Sequence, residues 1–238
     1  MQTTLAQFKE TTSADAFSLQ NHKLLKVSLA GHTVQAKLGS MVAYQGDVTF
    51  EHAGSGGMGR LMKKALTGEG QSLMKAAGTG ELFLADQAQD IHLVHLEGDS
   101  ITVNGPNLLA FETGIDWDIH RMKGASGMMG GGLFNTELNG TGWVAILSDG
   151  PPVMLDVSGA ATFADAQAAI TWSSGVTTSL KTDVKLFKSM TGRSSGETVQ
   201  MAFAGQGWVL VQPSEGRIGA ESDSGRSSGG GLGSLLNG

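Results

Sequence analysis

Apolar and polar positions alternate with period two through most of this chain, and strands are what that alternation predicts. From Leu24 onward, Leu25, Val27 and Leu29 alternate with neighbours of other character, Gly31-His32 turns the chain, and Val34, Ala36 and Leu38 bring it back. That reads as a half-buried hairpin. The pattern returns between Leu96 and Ile119, with a Gly-Asp-Ser turn at Gly98 and alternating Ile101 and Val103. After a break at Asn104-Gly105-Pro106-Asn107 a second strand, Leu108 to Phe111, is expected to run on through Ile115 to Trp117. Ahead of all this, residues 1–23 are polar, with Phe8, Phe17 and Leu19 as the expected buried points of an added edge strand.

The chain says nearly the same thing three times. Thirteen residues after Gly31, Gly98 and Gly159 stand Tyr44, Phe111 and Trp172, and four further on stand Val48, Ile115 and Val176. Each passage then closes on Gly-x-Gly and an apolar run, at Gly78-Thr79-Gly80, Gly140-Thr141-Gly142 and Gly205-Gln206-Gly207. Three markers in constant order, at a period of about 60 to 67 residues, predict an internal repeat with units at about 24–85, 91–149 and 153–212. An ordinary β-sandwich would leave that recurrence to coincidence. Three units are too few for a long array, and their open strand edges are best covered by one another. The expectation is therefore a single all-β domain over residues 1–212, three similar β-modules around a pseudo-threefold axis.

Composition narrows this picture. The 238 residues hold 36 Gly and 4 Pro, which suits many tight turns, and no Cys, which removes disulfides, thiolate metal sites and a Cys nucleophile. A net charge of −6 argues against non-specific coating of nucleic acid. The N-terminus lacks a basic segment followed by an apolar core, and no run of about 18 apolar residues exists. A cytoplasmic protein, at most peripheral to a membrane, is the expectation. From Pro213 to Gly238, Gly and Ser dominate, predicting a flexible tail.

Between the aromatic strand and the Gly-x-Gly strand, each unit carries an insertion. The first holds a Gly cluster and a candidate helix at 58–66; the third could form a brief helical turn through Val184, Phe187 and Met190. Ten of the 16 Lys and Arg fall in these insertions: Arg60, Lys63, Lys64, Lys75, Arg121, Lys123, Lys181, Lys185, Lys188 and Arg193. So do seven of the 11 Met: Met58, Met62, Met74, Met122, Met128, Met129 and Met190. With Leu61, Phe134 and Phe187 beside them, these residues make a candidate interaction surface on one side of the molecule. The competing reading has the apolar side chains folding back to plug the β-body, with only the lysines exposed.

Little in the chain points to catalysis. His92 and His95, three apart on one strand, face opposite ways, so they do not chelate a metal together. His32 and His95 read as hydrogen-bonded turn or sheet residues. Asp116, Asp118 and His120 share a strand face with acid-base potential, although a solvated face beside inward Trp117 and Ile119 is the favoured reading. Gly54 to Arg60 superficially resembles a phosphate loop without the Gly-Lys-Ser/Thr ending. No Gly-x-Ser-x-Gly elbow occurs, and Trp143 and Trp208, each directly after Gly-x-Gly, suit core or inter-unit packing. No catalytic residue, cofactor or metal is expected.

Gly56-Gly57-Met58-Gly59-Arg60-Leu61, the following Thr67-Gly68-Glu69-Gly70 and the threefold aromatic/Gly-x-Gly plan resemble the family named for the yeast altered-inheritance-of-mitochondria protein 24, which has many bacterial members. The resemblance covers roughly residues 20–212. It implies three β-modules around a pseudo-threefold axis, each similar to the trp RNA-binding attenuation protein subunit, a short double-stranded β-helix. It implies neither tryptophan nor RNA binding, since fold does not carry function. The yeast member is implicated in mitochondrial inner-membrane organisation, and no catalytic residue comes with the family.

Two functions follow as expectations. One is a non-catalytic scaffold touching a membrane surface or a protein partner through the insertions. The other is a small-molecule or nucleic-acid binding module using clefts between the units. An enzyme centred on Asp116, Asp118 and His120 is the least supported, and the sequence leaves the oligomeric state open.

Overall fold

The computed structural model describes residues 4–52, 73–121, 134–181 and 200–214, and nearly all regular structure among them is strand. The first passage holds β1 (Phe17–Asn21), β2 (Leu24–Ser28), β3 (Thr33–Lys37), β4 (Met41–His52) and β5 (Leu73–Leu84). β1 forms the sheet edge against β2. Phe17 anchors it in the core, whereas Leu19 faces outward and Phe8, in a short 3-10 turn ahead of the strand, is 70% exposed. The expected burial of those two is thus corrected.

β2 and β3 are not a hairpin. Strand β4 occupies one edge of β5, and β2 and β3 share the other, β2 along Glu81–Leu84 and β3 along Leu73–Ala77. They form a single strand line bent at Ala30-Gly31, where the N–H groups of Leu29 and Gly31 donate to the carbonyls of Gly80 and Gly78, both at 2.9 Å. A bend and a hairpin leave the same signature of alternation, Gly, alternation, so period two alone could not separate them. Leu38, just past β3, is exposed because the chain has left the sheet there.

The second passage makes the same point. β6 (Asp90–Asn104) is continuous, and Gly98 is a bulge rather than a turn, at φ +84° between Glu97 and Asp99. A 3-10 turn at Gly105–Asn107 leads to β7 (Leu108–Glu112). The strand expected to reach Trp117 stops there: the N–H of Ile115 turns back to the Glu112 carbonyl at 3.1 Å, and β8 (Asp116–Arg121) begins afresh. β9 (Phe134–Ser148) takes β6 along one edge and β8 then β7 along the other.

In the third passage β10 (Val153–Asp156) and β12 (Ala169–Ser173) flank β15 (Trp208–Val211), while β11 (Thr162–Asp165) and β13 (Val176–Lys181) flank β14 (Gln200–Gly205). β3 joins β7, and β6 joins β12, so that twelve strands make one antiparallel sheet and β11, β14 and β13 a second. Three apolar cores result. One lies around Phe17, Leu25, Leu82 and Leu109, a second around Leu108, Phe111, Leu138 and Ile146, and a third around Trp172, Phe203 and Val209. Each fully buried Leu or Phe contributes about 1.5–3 kcal/mol of transfer free energy.

Gly80 shows what the Gly-x-Gly words are for. At φ +149° it lies so close to β4 that a Cβ there would stand 1.9 Å from the Gln45 carbonyl oxygen.

Candidate functional site

Each basic, Met-rich passage joins two strands that pair with one another: His52 lies opposite Met74, Arg121 opposite Phe134, and Lys181 opposite Gln200. Of the expected contact residues, Met58, Arg60, Leu61, Met62, Lys63, Lys64, Lys123, Met128, Met129, Lys185, Phe187, Lys188 and Met190 lie outside the described residues. The candidate helix at 58–66, the turn through Val184, and the tail beyond residue 214 do as well. Arg121 closes β8, and half-buried Phe134 opens β9. Met74 and Lys75, counted with the first insertion, belong to β5, where Met74 is buried in the core.

Asp116, Asp118 and His120 do share the exposed face of β8, opposite Asn139, Glu137 and Asn135. His120 Nε2 lies 2.9 Å from Glu137 Oε2, and Asp118 Oδ1 accepts the Ile119 N–H at 2.9 Å. Both His120 and Glu137 are about half exposed, so this is a solvated contact rather than a desolvated acid-base couple. Among the described residues no three His, Asp or Glu side chains are grouped to hold a metal ion.

The two β6 histidines fall on opposite faces. His92 Nε2 lies 2.8 Å from Ser148 Oγ, whose hydroxyl donates to the Gly150 carbonyl at 2.7 Å. Because Ser148 spends its proton on Gly150, His92 must be the donor between them, which fixes its Nε2–H tautomer. Burial pushes the His92 pKa below its ordinary value, and Asp90 pulls it partly back. The pair orients the loop after β9; a buried serine with its proton committed is no nucleophile. His95 instead lies edge-on to Trp143, 4.8 Å between ring centroids.

Trp143 packs against the first core and Trp208 against the second, each reaching the passage before its own. Their backbone N–H groups are held by side chains that the sequence reading missed. Glu112 Oε2 accepts from Trp143 at 2.8 Å, and Ser173 Oγ accepts from Trp208 at 3.1 Å. The available signal was position, because Glu112 and Ser173 each follow directly on the aromatic marker. Lys26 was also missed. It is buried between Glu10 at 2.6 Å and Glu81 at 3.7 Å, and donates to the Thr11 carbonyl at 2.9 Å. The hydrogen bond to Glu10 chiefly raises its pKa and ties the N-terminal segment to β2.

No helix among the described residues is long and apolar enough to cross a membrane. No curated protein matches the chain. A crystal structure of the protein SPYM3_0169 from Streptococcus pyogenes is similar at a TM-score of 0.67 and 22% identity, over 82% of this chain and 91% of that one, and so shares the fold. The family model described as mitochondrial biogenesis AIM24 matches residues 17–214. That match spans most of the length, and the chain belongs to the AIM24 family.

Proposed function

We propose that this protein is a non-catalytic interaction scaffold of three similar β-modules around a pseudo-threefold axis. It carries three basic, Met-rich hairpin ends to one side of the molecule and docks them on an anionic membrane surface or a membrane-bound partner. One observation supports the reading above others: all three passages in which cations and Met concentrate connect directly paired antiparallel strands. An acidic chain that gathers seven of its 16 cations between those strands, with Arg121 and Lys181 at the strand ends, has a polarised charge distribution. Flexible Met side chains adapt to acyl chains or to an uneven protein groove, and lysines beside them meet anionic headgroups.

Each basic side chain near an anionic surface contributes about 1 kcal/mol, so losing four weakens binding by roughly three decades. The test is flotation with neutral and anionic vesicles at low and moderate salt, using the wild type and Lys63→Glu/Lys64→Glu/Lys185→Glu/Lys188→Glu. Salt-sensitive flotation on anionic vesicles alone, abolished in the variant, is the expected result. Flotation that ignores the four reversals overturns the membrane reading, and absence of flotation under all conditions directs the search to a protein partner.

A further inference from the structure

The segment ahead of β1 fills a site that reads an extended chain with a glutamate in it, and we infer that an acidic segment of a partner protein binds there in its place. Residues 4–12 add nothing to the apolar cores: none of them is buried, and Leu5 and Phe8 are 62% and 70% exposed. Two side chains grip the segment. The Gln20 amide of β1 pairs with the backbone on both sides of Glu10. Its Nε2 donates to the Lys9 carbonyl at 3.0 Å, and its Oε1 accepts the Thr11 N–H at 2.8 Å and the Thr11 hydroxyl at 3.2 Å. Lys26 of β2 takes the side chain between them, meeting Glu10 Oε1 at 2.6 Å and donating to the Thr11 carbonyl at 2.9 Å. Lys9 is extended, at φ −58° and ψ 151°. One amide thus reads main chain and one ammonium reads a carboxylate, which is how peptide sites combine affinity with specificity.

The charges at this site are additions to the repeat. Five residues before the marker glycines Gly31, Gly98 and Gly159 stand Lys26, Leu93 and Met154, and directly after the three Gly-x-Gly words stand Glu81, Trp143 and Trp208. The second and third passages therefore fold with apolar side chains at both places. In the first, Lys26 is buried, and a second carboxylate, Glu81, lies 3.7 Å from it. Glu81 Oε2 is itself buried and has no hydrogen-bond partner among the described residues. That oxygen gives Lys26 a carboxylate to move to when Glu10 leaves, so departure of the segment strands no charge. With no apolar burial to lose either, residues 4–12 are poised to come away as a unit.

An incoming segment must be extended, to pair with Gln20, and must offer a Glu at the position of Glu10. The resident segment then acts as a built-in competitor, lowering the apparent affinity in proportion to the time it occupies the site.

A fluorescent peptide of residues 4–13 is the probe, titrated onto the full chain by anisotropy. Glu10→Ala/Thr11→Pro removes the resident carboxylate and the N–H that Gln20 accepts, and leaves Gln20 and Lys26 in place. This unlatched variant should bind the peptide saturably, about tenfold or more tighter than the wild type does. Lys26→Met added to it, or a Glu10→Gln peptide, should weaken binding about tenfold or more. Equal binding by the wild type and the unlatched variant, absence of binding to either, or binding indifferent to Lys26 and to the glutamate overturns the inference. Hydrogen exchange of the wild type tests release without any substitution. The Thr11 amide should exchange about a hundredfold faster than the amides of β2, and protection equal to theirs means that the segment does not come away and the inference fails.

Discussion

Replacing Gly80 and Gly98 in turn by Ala separates two reasons for a glycine. At Gly98 the backbone has φ +84° and a Cβ would meet nothing within 4 Å. Gly98→Ala therefore costs only the left-handed conformation, about 1–2 kcal/mol. At Gly80 the new Cβ would lie 1.9 Å from the Gln45 oxygen and 3.0 Å from its carbon, both backbone atoms of β4. An ordinary carbon–oxygen contact needs roughly 3.3 Å, so β4 must retreat by about 1.4 Å. That retreat takes with it roughly two ladder hydrogen bonds at about 1 kcal/mol each. The φ of +149° adds about 1–3 kcal/mol for a residue with a side chain. Gly80→Ala is therefore expected to lose about 3–5 kcal/mol, two to three times the loss of Gly98→Ala. Urea titration followed by Trp fluorescence measures both, and the midpoints should differ by about 1 M or more. Equal losses would refute the claim that the Gly-x-Gly strands are pinned by close backbone approach.

Two further outcomes follow from the buried polar groups. His92 is held neutral by burial, with its pKa below the ordinary 6.5. As pH falls through that value the unfolded chain takes up a proton that the folded one declines, so stability falls on acidification and is whole above it. His92→Gln should flatten the urea midpoint between pH 7 and pH 5; an unchanged slope would assign the effect to other groups. Asn104 donates to the carbonyls of Ala166 and Ala169 at 3.4 and 3.2 Å from a buried position. Asn104→Ala should cost about 1–3 kcal/mol and raise amide exchange around residues 166–169 while sparing the first core, and uniform exchange would contradict that local role.

The strand content was legible because burial on one face leaves period two in the sequence: Leu25, Val27, Val34, Ala36, Ile101 and Val103 are all buried as their alternation requires. Connectivity was not legible where Gly stands between two alternating runs. Gly31 and Gly98 were read as reversals, and each proved a bend in one strand line, since the partner that decides between the two is β5 or β9, far along the chain. The aromatic markers were found as a pattern, but their burial depends on what neighbour covers them, so Tyr44 departs from Phe111 and Trp172. The acceptors Glu112 and Ser173 were missed because neither looks unusual by type. Only the place of each, one residue past the aromatic, aims it at the N–H that follows Gly-x-Gly.

The same bends separate the part of the molecule that holds the fold from the part proposed to make contact. Along β9, Phe134–Asn139 pairs with β8, and the stretch beyond Gly142 pairs with β7. Val144, Ala145, Ile146 and Leu147 are buried at 0–1%, while β8 keeps Asp116, Asp118 and His120 in solvent. The second half of the strand carries four consecutive buried apolar residues, whereas the first half buries Leu138 alone among its apolar side chains and lies beside the solvated face of β8. Charge reversals in the basic passages replace none of these buried residues. Loss of binding with an unchanged urea midpoint is the result that such a division of labour requires.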